Sequence, residues 1–487
     1  MRRRYIIYML FLCLFSKAQN LSLHNAIGLA QQQSYDAMVA HQSFLSKYWS
    51  YRSYRAELLP SMNLSGNLFQ FNRSMVEARS FDDGRISYVE NNSLTNRLSL
   101  SIDQNVVPLG GKLSVQSYLN RLDQLSYDTR TYNSQPIRLV YTQPLRAFNS
   151  LKWKKKTEPL KYEQAKRAYM EAMEDIAIKV VQLYFDVLSA QSLYQQSCRK
   201  QKDREYLYDI AKKRFEIGKV NKSEILQMEL SVLNAQVEVS NNLLSLNTKR
   251  FGLFSYLRVV NYEGIELQPP YSVPNLNINA DDVVSKALAN STHTLSQKVS
   301  LLESQKAVAL AKAQRGLQMQ INGEVALNRT SDNFSDAYHG LKDNEIAGVT
   351  FSLPIFDWGV SRGRVRMARA DLEVTKAKLE QAHETYLQDL RTYALQFSTQ
   401  AMQCRIALRA QDIADERNEI TKQRFETGAV TVTDLNTAQQ ESESAKAQYI
   451  RILQTFWRDY YTIRKVTLFD WVSGHDLDVD FDNLIRR

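Results

Sequence analysis

The second half of this chain repeats the first, which restricts the fold to architectures built from two copies of one structural unit. Residues 214–220 read Arg-Phe-Glu-Ile-Gly-Lys-Val and residues 424–430 read Arg-Phe-Glu-Thr-Gly-Ala-Val, an offset of 210 residues. We therefore expect a first structural repeat over 19–260 and a second over 279–470, followed by a C-terminal tail, 471–487.

The first repeat is longer than the second because it carries an insertion. Upstream of the shared motif, Gly66 aligns with Gly323 at an offset of 257 residues, so about 47 additional residues lie between Gly66 and Pro144. The insertion contains two segments of alternating polarity, joined by a stretch with Gly110-Gly111. This pattern predicts an extra β-hairpin over about 94–125.

Long helices dominate both repeats. The chain has only 16 Gly and 9 Pro in 487 residues, which leaves little turn material. Two segments rich in Ala, Leu, Glu, Lys and Gln predict helices of roughly 55 to 65 residues, from Leu160 to about Lys213 and from Val360 to Gln423. Pro159 is expected in the first turn of the earlier helix. Each long helix leads through a turn to a second helix, with Ser223 and Thr433 as the expected N-caps.

Two shorter helical segments are predicted from Leu21 to Glu57 and from Ala280 to Arg315. Two such segments stacked end to end would match one long helix. The apolar positions of the helices are narrow and rich in Ala, as in the seam of a coiled coil. Such helices have no globular core to fold onto, so they must pack against one another.

Between the helices, apolar residues alternate with polar ones, which is the period of a β-strand. This alternation is typical of transmembrane β-strands and equally of a soluble, half-buried sheet. One chain has too few strands to close a barrel, so several chains must share one structure. Strands are predicted near residues 62–72, 96–103, 113–119, 137–142, 320–328 and 349–353.

The first 18 residues predict a secretory signal peptide. Three arginines precede an apolar run from Tyr5 to Phe15, and Ser16-Lys17-Ala18 has the small-x-small pattern of a cleavage site. Cys13 lies inside the run, after Leu12 where a lipoprotein signal has a small residue, so we expect no acylation. No later stretch approaches 18 consecutive apolar residues, which excludes a bundle of transmembrane helices.

The sequence offers no support for catalysis. Its six histidines make no metal-ligand spacing, and His383-Glu384 lacks the second histidine of a zinc motif. Gly111-Lys112 lacks the upstream glycine of a phosphate-binding loop. The net charge of +10 includes four charges from the expected signal peptide, so no nucleic-acid partner is required. We expect no enzyme activity, no cofactor and no metal site.

Together these features resemble the TolC-like outer-membrane factor family, also called outer membrane efflux proteins. The resemblance rests on the signal peptide, the direct repeat, the segment from Leu353 to Gly359 entering a long helix, and the paired Arg-Phe-Glu-x-Gly-x-Val turns. It covers the chain from Leu21 to about Leu468. It implies a fold that is mainly α with β: a long coiled α-helical barrel and a transmembrane β-barrel, both completed by trimerisation.

The function that the resemblance implies is that of a conduit in the outer membrane, in contact with its lipid and extending into the periplasm. Family members pair with a periplasmic adaptor (membrane fusion) protein and an inner-membrane RND or ABC transporter, in efflux or type I secretion. Their cargo is drugs, other small molecules or polypeptides. The alternative is an exported periplasmic coiled-coil scaffold without channel activity. Salt or alkali would release a scaffold from the envelope, whereas a barrel protein would require detergent.

The resemblance also assigns roles to residues near the two helix-helix turns. The residues expected to contact the adaptor at the periplasmic tip are Arg214, Gly218, Val220, Arg424, Gly428 and Val430. Those expected at the channel constriction are Glu224, Gln227, Asp434 and Thr437. Gln227 and Thr437 stand where some members carry a second acidic ring, so a strongly cation-selective gate is not expected. The alternatives are plain structural hairpins, and acids that only stabilise the first turn of a helix.

The inserted hairpin departs from the family pattern. Members typically contribute four strands per chain, and a hairpin that joined the barrel would raise this number to six. The resemblance implies the smaller barrel, so we expect the hairpin to project from it.

Overall fold

The structure is a computed structural model that describes residues 20–79, 84–218, 220–262, 264–270, 273–274, 276, 278–427 and 429–486. The expected signal peptide, 1–18, and Gly428 lie outside the described residues. The helices are α1 Leu23–Gln33, α2 Tyr35–Ala56, α3 Ser150–Glu216, α4 Lys222–Tyr256, α5 Ala280–Asn290, α6 Thr292–Gln314, α7 Val360–Glu426, α8 Val432–Thr467 and α9 Phe481–Arg486. The strands are β1 Asn20–Leu21, β2 Ser61–Arg79, β3 Ile86–Val106, β4 Gly111–Gln124, β5 Thr129–Pro144, β6 Glu266–Leu267, β7 Gln318–Ser331, β8 Lys342–Ser352, β9 Phe469–Asp470 and β10 His475–Asp476.

The two long helices, α3 and α7, have 67 residues each, or about 100 Å at 1.5 Å per residue. Helix α7 begins at Val360, as predicted. Asp357 caps it by accepting hydrogen bonds from the backbone N–H groups of Gly359 (3.0 Å) and Ser361 (2.9 Å). The predicted start of α3 at Leu160 is wrong, because Pro159 lies inside the helix. Because proline has no N–H, the carbonyl group of Lys155, four residues earlier, lacks its helical partner. Both residues are exposed, so water can hydrogen-bond to that carbonyl group.

Each of the two shorter predicted helices is broken into two at a buried serine. Ser34 separates α1 from α2, and Ser291 separates α5 from α6, both with extended backbone. Ser34 Oγ accepts a hydrogen bond from the N–H of Ala37 (3.1 Å), and Ser291 Oγ accepts one from the hydroxyl of Tyr386 (3.0 Å). Because the two serines align at the 257-residue offset, the break belongs to the repeat.

Six strands form one antiparallel sheet in the order β2-β3-β4-β5-β7-β8, which confirms all six predicted strands. The expectation that the inserted hairpin projects is wrong. Strand β3 pairs with β2 from Asp103 to Ile86, and β4 pairs with β5 from Lys112 to Gln124. In the second repeat, β7 pairs directly with β8. The insertion therefore places two strands inside the sheet, and every neighbouring pair of strands stays antiparallel.

The chain forms two compact units. The sheet unit comprises Ser46–Glu163 and Leu295–Gln381, and the helical unit comprises the residues up to Leu45, Gln164–Thr294 and Ala382–Arg487. Each unit takes segments from both repeats, so neither repeat is a domain by itself. The largest fully buried side chains of the helical unit include Tyr184, Phe185, Phe254, Phe397 and Phe456.

Among the described residues, one helix, α3, contains an 18-residue window apolar enough to cross a membrane. Half of that window is buried within the protein. Burial of this extent is typical of a helix that packs in a protein core.

A carboxyl group is buried in the helical unit. Glu174 of α3 is 3% exposed, and its Oε1 lies 3.3 Å from Nε of Arg464. Nη1 of the same arginine lies 3.5 Å from Oδ2 of Asp470. Among the described residues, no group hydrogen-bonds to Glu174 Oε2. Burial raises the pKa of Glu174 to about 7, and the guanidinium of Arg464 offsets only part of this effect. Glu174 therefore holds its proton to a higher pH than an exposed glutamate does.

Replacing Glu174 with glutamine should remove part of the pH dependence of stability. A carboxyl group whose pKa is raised by folding destabilises the folded state progressively as the pH rises from its ordinary pKa to its folded pKa. As the pH rises from 4 to 8, we expect the free energy of unfolding of Glu174→Gln to increase by up to about 3 kcal/mol relative to that of the wild type. Unfolding midpoints in detergent measure this difference. The control is Asp209→Asn, which changes an exposed carboxylate on the same helix far from Glu174. A Glu174→Gln difference that does not change with pH would contradict the prediction.

Candidate functional site

The first helix-helix turn connects α3 to α4. Gly218 has a φ of 69°, in the left-handed region that glycine adopts without strain, and its N–H donates to the carbonyl of Phe215 (2.8 Å). Arg214 lies in the last turn of α3. Val220 is only partly exposed, whereas Ile217 is 66% exposed. The most exposed apolar side chain of this turn is thus Ile217, which the glycine-centred motif did not single out.

The second turn connects α7 to α8. Arg424 lies in the last turn of α7, and its carbonyl accepts a hydrogen bond from the N–H of Ala429 (2.9 Å). Val430 is partly exposed, as Val220 is in the first turn. Apart from Gly428, which is not described, the residues expected at the tip lie at corresponding positions of the two turns.

The helices that follow the turns begin two residues earlier than predicted. Their N-caps are Asn221 and Thr431, not Ser223 and Thr433. The Asn221 side chain accepts a hydrogen bond from the N–H of Glu224 (2.9 Å) and donates one to its carboxylate (3.0 Å). Each cap lies three residues before an acidic residue, and this reciprocal pairing fixes the helix start.

Asp434 makes the corresponding contacts in the second repeat. Its N–H donates to Thr431 Oγ1 (3.2 Å), and its carboxylate accepts from the N–H (2.9 Å) and hydroxyl (2.7 Å) of Thr431. These hydrogen bonds lower the pKa of Asp434. Glu224, Gln227, Asp434 and Thr437 are all exposed in the single chain. The two acids therefore cap their helices and remain accessible at the same time.

Polar contacts join the two helical hairpins near the turns. Asp203 of α3 lies 3.3 Å from the ammonium group of Lys422 in α7 and accepts a hydrogen bond from Gln439 in α8 (3.4 Å). Arg204 donates to the side-chain oxygen of Asn436 in α8 (2.6 Å). We call these five residues the tip clasp. They connect the first repeat to the second within about 20 Å of the end of α3.

Contacts along the helical unit give the order of its four long helices. Lys200 of α3 pairs with Glu238 of α4 (2.9 Å), and Lys465 of α8 pairs with Asp175 of α3 (2.7 Å). The ring of Phe397 in α7 packs against that of Phe456 in α8, with centroids 5.2 Å apart. Apart from the tip clasp, where Asp203 of α3 also reaches Lys422 of α7, these contacts give the order α4-α3-α8-α7, with α4 and α7 at the two edges.

Each edge helix carries an exposed apolar stripe opposite its buried side. The α4 stripe is Leu226, Leu230, Leu233, Val237, Leu244 and Phe251, and the α7 stripe is Leu395, Met402, Ile406, Ile413 and Ile420. These side chains are 49% to 68% exposed, and many recur every seven residues, as in a coiled-coil seam. The buried residues Ala235 and Leu246 of α4, and Phe397 and Cys404 of α7, lie about half a helical turn away. Both stripes thus face away from the unit's core.

The sheet separates a polar face from an apolar face. On the polar face, Arg138 of β5 makes two hydrogen bonds with Glu324 of β7 (2.7 and 2.8 Å) and one with Gln116 of β4 (3.0 Å). On the opposite face, Leu139 and Val325 are directly paired and exposed. The sheet ends at β2 on one side and β8 on the other, so the main-chain groups along its two edges have no neighbouring strand within the described chain.

The chain matches the profile of the family described as outer membrane efflux protein, over residues 107–257 and 283–467. Its fold is similar to three solved structures. The CmeC outer membrane channel of Campylobacter jejuni is 15% identical, with 95% of this chain and 88% of that chain covered and a TM-score of 0.64. The outer membrane protein VceC of Vibrio cholerae is 12% identical, with 93% of this chain and 96% of that chain covered and a TM-score of 0.61. The MtrE outer membrane channel of Neisseria gonorrhoeae, in its open state, is 15% identical, with 94% of this chain and 91% of that chain covered and a TM-score of 0.61. Among curated proteins, none matches the chain in sequence.

These comparisons agree with the architecture. The family profile covers one stretch in each repeat and more than half of the chain. At 12% to 15% identity, the solved structures establish the fold, mainly α with a β-sheet and an internal repeat. The chain therefore belongs to the outer membrane efflux protein family and is located in the outer membrane.

Proposed function

We propose that the protein is the outer-membrane channel of a tripartite efflux or type I secretion system, built from three chains. The observation that carries the proposal is that both layers of the chain are open at both edges. The sheet ends in β2 and β8, and the helical layer ends in α4 and α7 with their exposed apolar stripes. Pairing one edge of a chain with the opposite edge of the next closes a ring and covers every edge.

The direction of the edge strands supports this closure. Six strands in an antiparallel order make β2 and β8 antiparallel to each other, so β8 of one chain can pair with β2 of the next. The closed sheet would turn its apolar face to lipid and its charged face, with Arg138 and Glu324, to a water-filled lumen. Three copies follow from the family resemblance.

The family resemblance implies the partners, and the two turns offer a surface for them. The exposed turn residues, among them Ile217 and Arg214, would meet a periplasmic adaptor, which links the channel to an inner-membrane RND or ABC transporter. Cargo would be drugs, other small molecules or polypeptides, and the chain would act as a conduit without catalysis. Along the sequence, the proposed division is a signal peptide over 1–18, structural repeats over 19–260 and 279–470, and a C-terminal tail over 471–487.

The constriction would lie just beyond the turns, where Glu224 and Asp434 of three chains face one passage. Six carboxylates in a narrow ring favour cations over anions. The tip clasp, above this ring, would hold the two helical hairpins of each chain together. Loss of the clasp would let the hairpins separate and widen the passage.

Replacing Asp203 and Arg204 of the tip clasp with alanine should raise the conductance of the channel several-fold, because the polar contacts that join α3 to the second repeat at the tip are removed. Single-channel recordings in planar bilayers measure this effect. Lys202→Ala, which removes a charge from an exposed neighbouring position, is the control. A double variant with wild-type conductance would show that the clasp does not hold the passage closed.

The proposed function is tested by electron microscopy and bilayer recording of protein extracted from outer membranes with detergent. We expect a hollow particle with threefold symmetry and a detergent belt, and discrete conductance steps. If salt or alkali releases the protein from the membrane as a single chain that shows no conductance, the channel is refuted and the periplasmic scaffold remains.

A further inference from the structure

We infer that the inserted hairpin, β3 and β4, forms transmembrane strands whose apolar face contacts lipid acyl chains, so that the assembled barrel has eighteen strands. The inference rests on the proposed threefold assembly, to which each chain contributes its six-stranded sheet. It concerns residues that the second repeat lacks, because β7 and β8 pair there without intervening strands.

The register gives the hairpin the same height in the sheet as its neighbours. Met62 of β2 pairs with Ile102 of β3, which pairs with Val115 of β4. Val115 pairs with Leu139 of β5, and Leu139 pairs with Val325 of β7. Directly paired residues point to the same face of a sheet, so these five apolar residues form one row across five adjacent strands.

The row is exposed along its whole length. The five side chains are 40% to 68% exposed, and the two from the hairpin, at 40% and 43%, are about as exposed as Leu139 at 42%. Leu98 and Leu100 continue the exposed apolar surface along β3. Monomeric soluble proteins rarely expose a contiguous apolar surface of this kind. An apolar band that runs continuously across neighbouring strands is the surface that lipid chains cover in an outer-membrane barrel.

The opposite face of the hairpin is polar. The adjacent row is Asn63, Ser101, Gln116 and Arg138, again joined by direct pairing from β2 to β5. Asp103 of β3 lies 3.3 Å from the ammonium group of Lys112 in β4 and accepts a hydrogen bond from Asn63 in β2 (3.1 Å). The hairpin thus divides polar from apolar residues in the same sense as β5 and β7. A lobe projecting into water would not need this division.

The inference changes the expected width of the passage through the membrane. Strands lie about 4.8 Å apart and tilt by about 40° in such barrels. Eighteen strands then give a backbone diameter of roughly 35 Å, against roughly 24 Å for twelve. The wider barrel has the strand number at which membrane barrels enclose an aqueous channel.

Spin labels placed in matched pairs test the inference. The background is a chain in which Cys198 and Cys404 have been replaced. Single cysteines are introduced into it and labelled with a nitroxide, and the protein is placed in proteoliposomes. The accessibility of each nitroxide to oxygen, which enters lipid, and to a water-soluble nickel chelate is then measured. The pairs are Ile102 and Ser101 on β3, Val115 and Gln116 on β4, and Ile321 and Asn322 on β7 as reference.

We expect oxygen to dominate at the first member of every pair and nickel at the second. Nickel access at positions 102 and 115, with oxygen still dominant at 321, would overturn the inference and leave the proposed channel intact. Nickel access at 321 as well would refute the transmembrane barrel and with it the proposed function. The wild-type ring measured by electron microscopy at the level of the detergent belt is a second test, since a diameter near 24 Å would also overturn the inference.

Discussion

The double substitution Leu230→Asp and Val237→Asp should convert the assembled protein into single chains. Both residues belong to the α4 stripe, and they are 58% and 60% exposed in the single chain. In the proposed ring they would be buried against the α7 stripe of the next chain. Each substitution forfeits about 1.5–3 kcal/mol of apolar burial and adds the cost of an unpaired buried carboxylate, at three interfaces per ring. Light scattering of the purified protein in detergent measures the number of chains.

A matched control lies one residue away. Gln236 is exposed on α4 but lies outside the stripe, so Gln236→Asp should leave assembly unchanged. The double variant should keep its helix content, because both positions lie opposite the buried Ala235. A double variant that still forms a complete ring would contradict the role of the stripe.

The second large effect is expected from Leu139→Arg on the apolar face of the sheet. Leu139 is exposed, and the residues paired with it on the two neighbouring strands are Val115 and Val325. An arginine that faces lipid destabilises a membrane barrel by up to about 2–4 kcal/mol. Every ring would carry this cost three times. We expect a more than tenfold decrease in folded protein in the outer-membrane fraction, measured by its heat-dependent mobility in gels.

The control for this substitution is Asn322→Arg, which places the same side chain on the polar face of β7. That face already carries Arg138, so we expect assembly close to wild type. A soluble sheet with no lipid contact would tolerate both substitutions about equally. Equal yields of the two variants would therefore contradict the membrane location of the apolar face.

The sequence predicts the kind and order of the main elements correctly because they depend on local composition and period. The predicted start of α3 is ten residues too late, because Pro159 suits a first helical turn as well as an exposed interior position. The breaks at Ser34 and Ser291 carry no Gly or Pro to mark them. They depend on burial and on contacts such as the hydrogen bond from Tyr386, which a local pattern does not reveal.

The two N-caps are marked in the sequence by their spacing from an acidic residue. Asn221 and Ser223 are both cap-type residues, and composition alone does not separate them. Only Asn221 and Thr431 precede an acidic residue by three positions, the spacing of a capping box. The same spacing shows that Glu224, which the family resemblance places in the constriction, also has a structural task.

The place of the inserted hairpin and the tip clasp could not be predicted from the sequence. Alternation shows that β3 and β4 exist, but only long-range pairing shows that they lie between β2 and β5. In β2 the alternation reverses at a register shift between Asn67 and Gln70, where Phe69 has a positive φ of 60°. The clasp joins residues more than 200 positions apart, such as Asp203 and Lys422.

The open edges of the sheet and of the helical layer have a genetic consequence. Because each chain meets two different neighbours through two different edges, a defective edge on one subunit leaves a gap that the other subunits cannot fill. In a cell that makes equal amounts of normal and defective chains, only about one in eight of the three-chain rings would contain normal chains alone. Alleles that damage an edge but still enter rings should therefore be dominant, whereas alleles that prevent folding should be recessive.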